Sequence, residues 1–167
     1  MATTKPKTRK KVKRKTPRRR PKPHVEPHVK REPVASEDVH LVVGKGSSKH
    51  GGGADGYYWH IYVSNRRVGN IFINLISDGF FGQHPSIQIF LNQAEQGKQI
   101  GRIAYRLACE QSGYDTVYAH MRKSNTASIR AAEEAGFVVV ENKDMSQRTM
   151  VWRRNRSREK VKPHGES

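Results

Sequence analysis

The run Gln96-Gly97-Lys98-Gln99-Ile100-Gly101 lies where an apolar strand pattern gives way to an apolar helix pattern. The first amides of a helix lack intrahelical partners and carry partial positive charge, so a loop that opens a helix is suited to hold a phosphate or diphosphate. Gly97 and Gly101 have no Cβ to keep a ligand off the main chain, and Lys98 and Arg102 add charge nearby. Taken alone, the hexapeptide fits an ordinary helix start with solvated basic residues better, because short glycine motifs match by chance. Other phosphate loops do not match. A P-loop needs glycine five positions before Gly97 and Ser or Thr after Lys98, where this chain has Asn92 and Gln99. Gly44-Lys45-Gly46 continues as Ser47, Ser48 and Lys49, which is not a dinucleotide fingerprint. His50-Gly51-Gly52-Gly53 imitates an oxyanion loop, but no G-x-S-x-G nucleophile elbow accompanies it. The eight histidines form no HExxH pattern and have no cysteine partners at zinc spacing, so no metal site is expected. His84 and His120 are candidate water-linked bases, because imidazole titrates near neutral pH. Their alternative reading is as hydrogen-bonded structural histidines.

Charge separates a body from two tails. The 167 residues carry a net charge of +17. Residues 1–38 contribute +10, residues 153–167 contribute +4, and the 114 residues between them only +3. Residues 1–37 are proline-spaced and nearly free of apolar side chains, so they cannot bury enough surface to offset ordering entropy. We expect disordered basic tails at 1–37 and 154–167 around one domain at 38–153. Cys109 is the only cysteine, which excludes an intrachain disulfide and suits a small core residue. No apolar run reaches the ~18 residues of a membrane span, and the basic N-terminus has no apolar segment of a secretory signal. These features lead us to expect an intracellular, cytoplasmic protein without membrane association, or a nuclear one if the source is eukaryotic.

The body opens with a short strand pattern at 39–43 and a glycine-rich stretch at 44–56, read as a flexible loop. Aromatic and β-branched runs at 57–63 and 68–76 predict an antiparallel hairpin, and alternation at 86–91 a third strand of that group. Ile100, Ile103, Ala104, Leu107 and Ala108 fall on one helical face, ended by Ser112-Gly113. A strand at 116–121 follows, then a helix opened by the capping side chains of Ser124-Asn125 and ended at Ala135-Gly136. Strands at 137–141 and 149–152 close a mixed α/β fold.

Two blocks set one strand apart carry a family resemblance. The first is QGKQIG. The second is SNTASIRAAEEAGF, from Ser124 to Phe137. Together they resemble the GNAT superfamily of acetyl-CoA-dependent N-acetyltransferases, with its [Q/R]-x-x-G-x-[G/A] loop and its Asn-led helix ending in Gly-Phe. The resemblance is strong over about 50 residues and extends by strand order over about 110. It implies a mixed, mostly antiparallel sheet with flanking helices. It also implies acetyl-CoA as co-substrate without a metal, held by Leu91, Asn92, Gln93, Gln96, Gly97, Lys98, Gln99, Ile100, Gly101, Arg102, Asn125 and Ser128. The implied mechanism is direct attack of an amine on a thioester held in the splay between the strands at 86–91 and 116–121.

Three departures from the family pattern matter. Gln99 stands where a glycine is usual. Ala132 occupies the position of the tyrosine that serves many members as general acid, and the strand at 86–91 has no glutamate base. The two helices that normally wall the acceptor site have only residues 44–56 available, so they are expected to be reduced or missing. An open acceptor side implies a macromolecular amine, such as a protein lysine or N-terminus. Twelve basic residues and no acid in residues 1–23 form a tract suited to nucleic acid or ribosomes. The competing expectation is an inactive GNAT-like protein that binds nucleic acid through these tails.

Overall fold

The computed structural model describes residues 31–141 and 145–155. Most of each expected basic tail lies outside the described residues. The chain order is β1 (Val39–Val43), β2 (Tyr57–Val63), β3 (Arg66–Asp78), β4 (Gly82–Leu91), α1 (Ile100–Gln111), β5 (Thr116–Met121), α2 (Thr126–Glu134), β6 (Val138–Val140) and β7 (Arg148–Arg153). The strands form one seven-stranded sheet in the order β1-β2-β3-β4-β5-β7-β6. Every neighbouring pair is antiparallel except β4 and β5. This is the mixed, mostly antiparallel sheet expected, and residues 44–56 contain no helix.

Both helices pack on one face. Ile100, Ile103, Ala104 and Ala108 of α1, with Ala132 of α2, share a buried cluster with Trp59, Ile61, Ile71, Ile73, Ile87, Val117, Ala119 and Met150. Strand alternation then sends Tyr58, His60, Asn70, Phe72, His84, Phe90 and His120 to the opposite face. Cys109 is buried in the cluster, and burial pushes its thiol pKa well up, so it is an inert core residue. No helix among the described residues is long and apolar enough to cross a membrane.

Two sequence boundaries are corrected. Residues 31–37 belong to the body rather than the tail: Arg31 Nη1 donates to Gln93 O (2.9 Å) and Gln96 O (2.8 Å), and Val34 N donates to Lys98 O (3.0 Å). Arg154 is also part of the body. Its guanidinium donates to the carbonyls of Cys109, Glu110 and Tyr114 and stacks over Trp152, satisfying carbonyls that α1 leaves open at its C-terminus. Low hydrophobicity hid both segments, whose contacts are largely polar although Val34 also packs against the core.

The β3–β4 hairpin is longer than the apolar runs suggested. Asp78 Oδ1 accepts from Phe80 N (2.9 Å) and Phe81 N (2.7 Å), which closes the turn and draws polar residues into both strands. His84, expected ahead of its strand, therefore lies inside β4. The glycine-rich segment is not the flexible loop expected. Ser47 and His50 exchange backbone hydrogen bonds, Gly51 N donates to Asn74 Oδ1 (2.7 Å), Asn74 Nδ2 donates to Lys49 O (2.8 Å), and Tyr114 Oη donates to Asp55 O (2.6 Å). A Cβ on Gly51 would lie 2.0 Å from Tyr57 O, so this glycine permits close packing and a positive φ of 68°.

Candidate active site

β4 pairs with β5 at a single position, Ser86 opposite Tyr118. Beyond it the strands diverge, and the outer edge of 87–91 makes no ladder with β5. A groove of about 620 Å³ runs along this edge. Ile89 and Phe90, adjacent on β4, both line the groove, and its remaining walls come from the loop and the two helices rather than from β5. Its far end is built from two helix N-termini. Gln96, Gly97, Gln99, Ile100, Gly101 and Arg102 line it from the start of α1, and Asn125, Ala127 and Ser128 from the start of α2. Leu91 lines it from β4.

The two termini are prepared differently. Asn125 caps α2 by accepting from Ser128 N (3.2 Å). No side chain caps α1, so its first amides remain free to bind an anion. Gly97 has φ +79°, and nothing lies within 4 Å of where its Cβ would be. Gln99 also adopts the left-handed conformation, with φ 61° and ψ 12°. It therefore supplies the backbone shape for which glycine is usual, at a cost of about 1 kcal/mol, while its side chain stays exposed. Gly101 has a different reason for lacking a side chain: a Cβ would sit 3.3 Å from Ala131 Cβ, so this glycine lets α1 approach α2.

Three expected ligand residues stand behind the groove. Asn92 N donates to Val68 O, and Gln93 O accepts from Arg31. Lys98 Nζ is held by Glu95 Oε2 at 3.0 Å, not offered to the groove. Glu95 is buried, and the Arg66 and Lys98 side chains hold its carboxyl down to about 2. It thereby fixes the loop to the β2–β3 hairpin. Positive charge in the groove comes instead from Arg102 and from Arg130, which the sequence reading did not single out. The Nε of Arg102 is buried with no hydrogen-bond partner among the described residues. Tyr105, Arg130, Ala131 and Glu134 complete the lining. Helical periodicity from Gly101 reaches Tyr105 and from Ser128 reaches Ala131, whereas Arg130 and Glu134 follow from Ala127, which the sequence reading did not single out.

A second cavity, of about 670 Å³, lies on the helix-free face. It is lined by Lys45, Gly46, Ser47, His50, Tyr58, His60, Asn70 and Phe90. Phe90 borders both cavities and is 55% exposed. His60, Asn70 and Phe90 form one cross-strand row. Nδ1 of His60 is buried without a partner among the described residues. Burial first, and then the nearby Arg67 charge, lowers its pKa, so the imidazole remains neutral at neutral pH. His60 was not singled out from sequence, where it reads as one aromatic position in a strand.

The two histidines that were singled out lie elsewhere. His84 Nε2 and His120 Nε2 are 2.9 Å apart, and neither residue lines either cavity. Ala132, at the position of the family acid, is fully buried in the core.

Comparison with known proteins agrees with this architecture. Residues 19–138 match the family model described as an acetyltransferase (GNAT) domain. No curated protein matches the sequence at a significant level. Among solved structures, aminoglycoside acetyltransferase AAC(6')-Ib in complex with paromomycin and acetyl-CoA is 21% identical, with a TM-score of 0.52 over 64% of this chain and 71% of that one. The same enzyme with coenzyme A and kanamycin is also 21% identical, with a TM-score of 0.51 over 60% and 67%. The GNAT domain of an S. lividans protein is 12% identical, with a TM-score of 0.50 over 59% and 61%. These structures share the fold, and with the family match over most of the chain they show that the protein belongs to the GNAT acetyltransferase family.

Proposed function

We propose that this protein is an N-acetyltransferase that transfers acetyl from acetyl-CoA to an amine carried on a macromolecule. One observation carries the reading: the unpaired edge of β4 connects two helix N-termini to a separate cavity at Phe90. The pyrophosphate of acetyl-CoA is placed at the uncapped start of α1, with Arg102 and Arg130 beside it. The amide-bearing arm then lies along 87–91, where the backbone needs hydrogen-bond partners.

The chemistry follows from position. The acceptor amine enters by the Phe90 cavity and gives a proton through water to neutral His60. Its nitrogen attacks the thioester carbonyl, which a backbone amide near Leu91 polarises. The C–N bond forms, the C–S bond breaks, the proton left on the attacking nitrogen passes through water to the thiolate, and His60 releases the proton it took from the ammonium to solvent. No side chain is needed at Ala132 for this route.

The acceptor cavity has lysine and histidine but no carboxylate among its lining residues. A polycation such as an aminoglycoside would meet no counter-charge there, so an amine on a neutral or anionic carrier fits better. No helix of 44–56 walls the cavity, which favours an acceptor carried on a chain. Labelled acetyl-CoA offered with free-N-terminus or lysine peptides, and separately with kanamycin, tests this. Peptide labelling supports the reading, and labelling of kanamycin alone overturns the macromolecular acceptor. We further propose that residues 1–23 recruit a polyanion such as nucleic acid or the ribosome to the enzyme.

A further inference from the structure

Asp78, His84 and His120 converge where the two halves of the sheet are most weakly joined. The ligand-capable atoms of these residues lie within 4.8 Å of one another. His84 Nε2 is 2.9 Å from His120 Nε2 and 3.7 Å from Asp78 Oδ2. Two nitrogens bound at about 2.0–2.1 Å to one zinc-like ion would stand roughly 3–3.4 Å apart, so the histidines are already near that spacing.

Each residue is oriented through its other polar atom. Asp78 Oδ1 accepts from Phe80 N and Phe81 N, which leaves Oδ2 free to turn inward. His84 Nδ1 faces Gly82 O at 2.9 Å, so it carries the proton, and Nε2 presents a lone pair. Thr149 Oγ1 donates to Met145 Sδ (3.3 Å), so the same oxygen accepts from His120 Nδ1 at 3.1 Å. That tautomer leaves His120 Nε2 bare as well. Two bare nitrogens facing each other at 2.9 Å need a positive centre between them. The arrangement also supplies what a metal-bound imidazole uses: a fixed partner on its second nitrogen.

We propose that Asp78, His84 and His120 bind a structural divalent cation of the zinc class, with water as the fourth ligand. Two imidazoles and one carboxylate favour zinc-like ions over magnesium or calcium. The ion would bridge the β3–β4 hairpin, which supplies Asp78 and His84, to β5, which supplies His120. β4 and β5 share only the Ser86–Tyr118 pairing there, so the ion would fix the spacing of these two strands. Phe81 and Tyr118 pack against His84 and help hold its ring in place. The ion takes no part in acetyl transfer, because none of its ligands lines either cavity.

The test is a Co²⁺ titration of the full chain after chelator treatment, followed by visible absorption and thermal unfolding. The expected result is one saturable equivalent with the intense spectrum of a four-coordinate nitrogen–oxygen site, displaced by Zn²⁺, together with a raised Tm. His120→Gln should abolish that spectrum, and Asp78→Asn should weaken binding by at least about tenfold. Asp78→Asn keeps an oxygen for the turn, so it reports even if His120→Gln fails to fold. Absence of the spectrum in the unaltered chain overturns the proposal, because a shared proton then explains the short contact. A spectrum unchanged in both variants also overturns it, because other histidines then hold the ion.

Discussion

At the scale of single residues, Gln99 and His60 carry the sharpest predictions. Gln99 holds a left-handed backbone without being glycine. Gln99→Gly should raise unfolding stability by about 1 kcal/mol and keep or modestly improve acetyl-CoA affinity, as read by chemical denaturation and calorimetry. A large loss of affinity would mean that the side chain itself holds the ligand. His60→Ala should lower kcat more than it changes acetyl-CoA affinity, because His60 lines the acceptor cavity and not the groove. Its lowered pKa keeps the base form available under mildly acidic conditions. The acid limb of kcat/KM should therefore fall below the ordinary imidazole pKa of ~6.5. A limb at or above that value would assign the proton transfer to another group. The sequence reading selected His84 and His120 as candidate bases because residue type was visible but orientation was not. Both belong to a hydrogen-bonded pair that lines neither cavity, whereas His60 lay unnoticed among the aromatic residues of β2.

At the scale of elements, the phosphate-type loop depends on one buried carboxylate. Glu95 ties the loop to Arg66 on β3 and to Lys98 within the loop. Its folded pKa lies below its unfolded value, so its stabilisation is present above the ordinary carboxylate range. That stabilisation is lost as the pH falls from about 4.5 through about 2. Glu95→Gln should cost about 1.5–3 kcal/mol at neutral pH and flatten the acid side of the stability profile measured by thermal unfolding. The local pattern identified the two helices and five of the strands nearly to their ends, because apolar period and capping residues act over a few positions. It missed the extension of the β3–β4 hairpin, where the turn chemistry of Asp78 outweighs a polar composition. It also missed the anchoring of Arg31 and Arg154, which meet partners more than 40 residues away.

At the scale of the whole molecule, function depends on separation. The proposed function uses a groove at two helix N-termini, a cavity that shares only Phe90 with it, and a basic tract at 1–23 that lies outside the described residues. Deleting residues 1–23 should leave acetyl-CoA affinity unchanged while it reduces nucleic-acid binding and its salt dependence. Retained salt-sensitive binding would move that role to the body. Residues of the two sequence blocks line one groove, because both blocks sit at helix starts that the fold brings together. The Phe90 cavity was legible only as missing helices, since its walls come from residues on four separate segments. The most direct measurement is calorimetric titration of the full chain with acetyl-CoA, alongside Arg102→Glu. The account predicts saturable 1:1 binding that the substitution weakens by at least about tenfold, since a charge-assisted contact to phosphate is replaced by repulsion. Absence of saturable binding, or equal binding by both proteins, would contradict the placement of acetyl-CoA between the two helix N-termini.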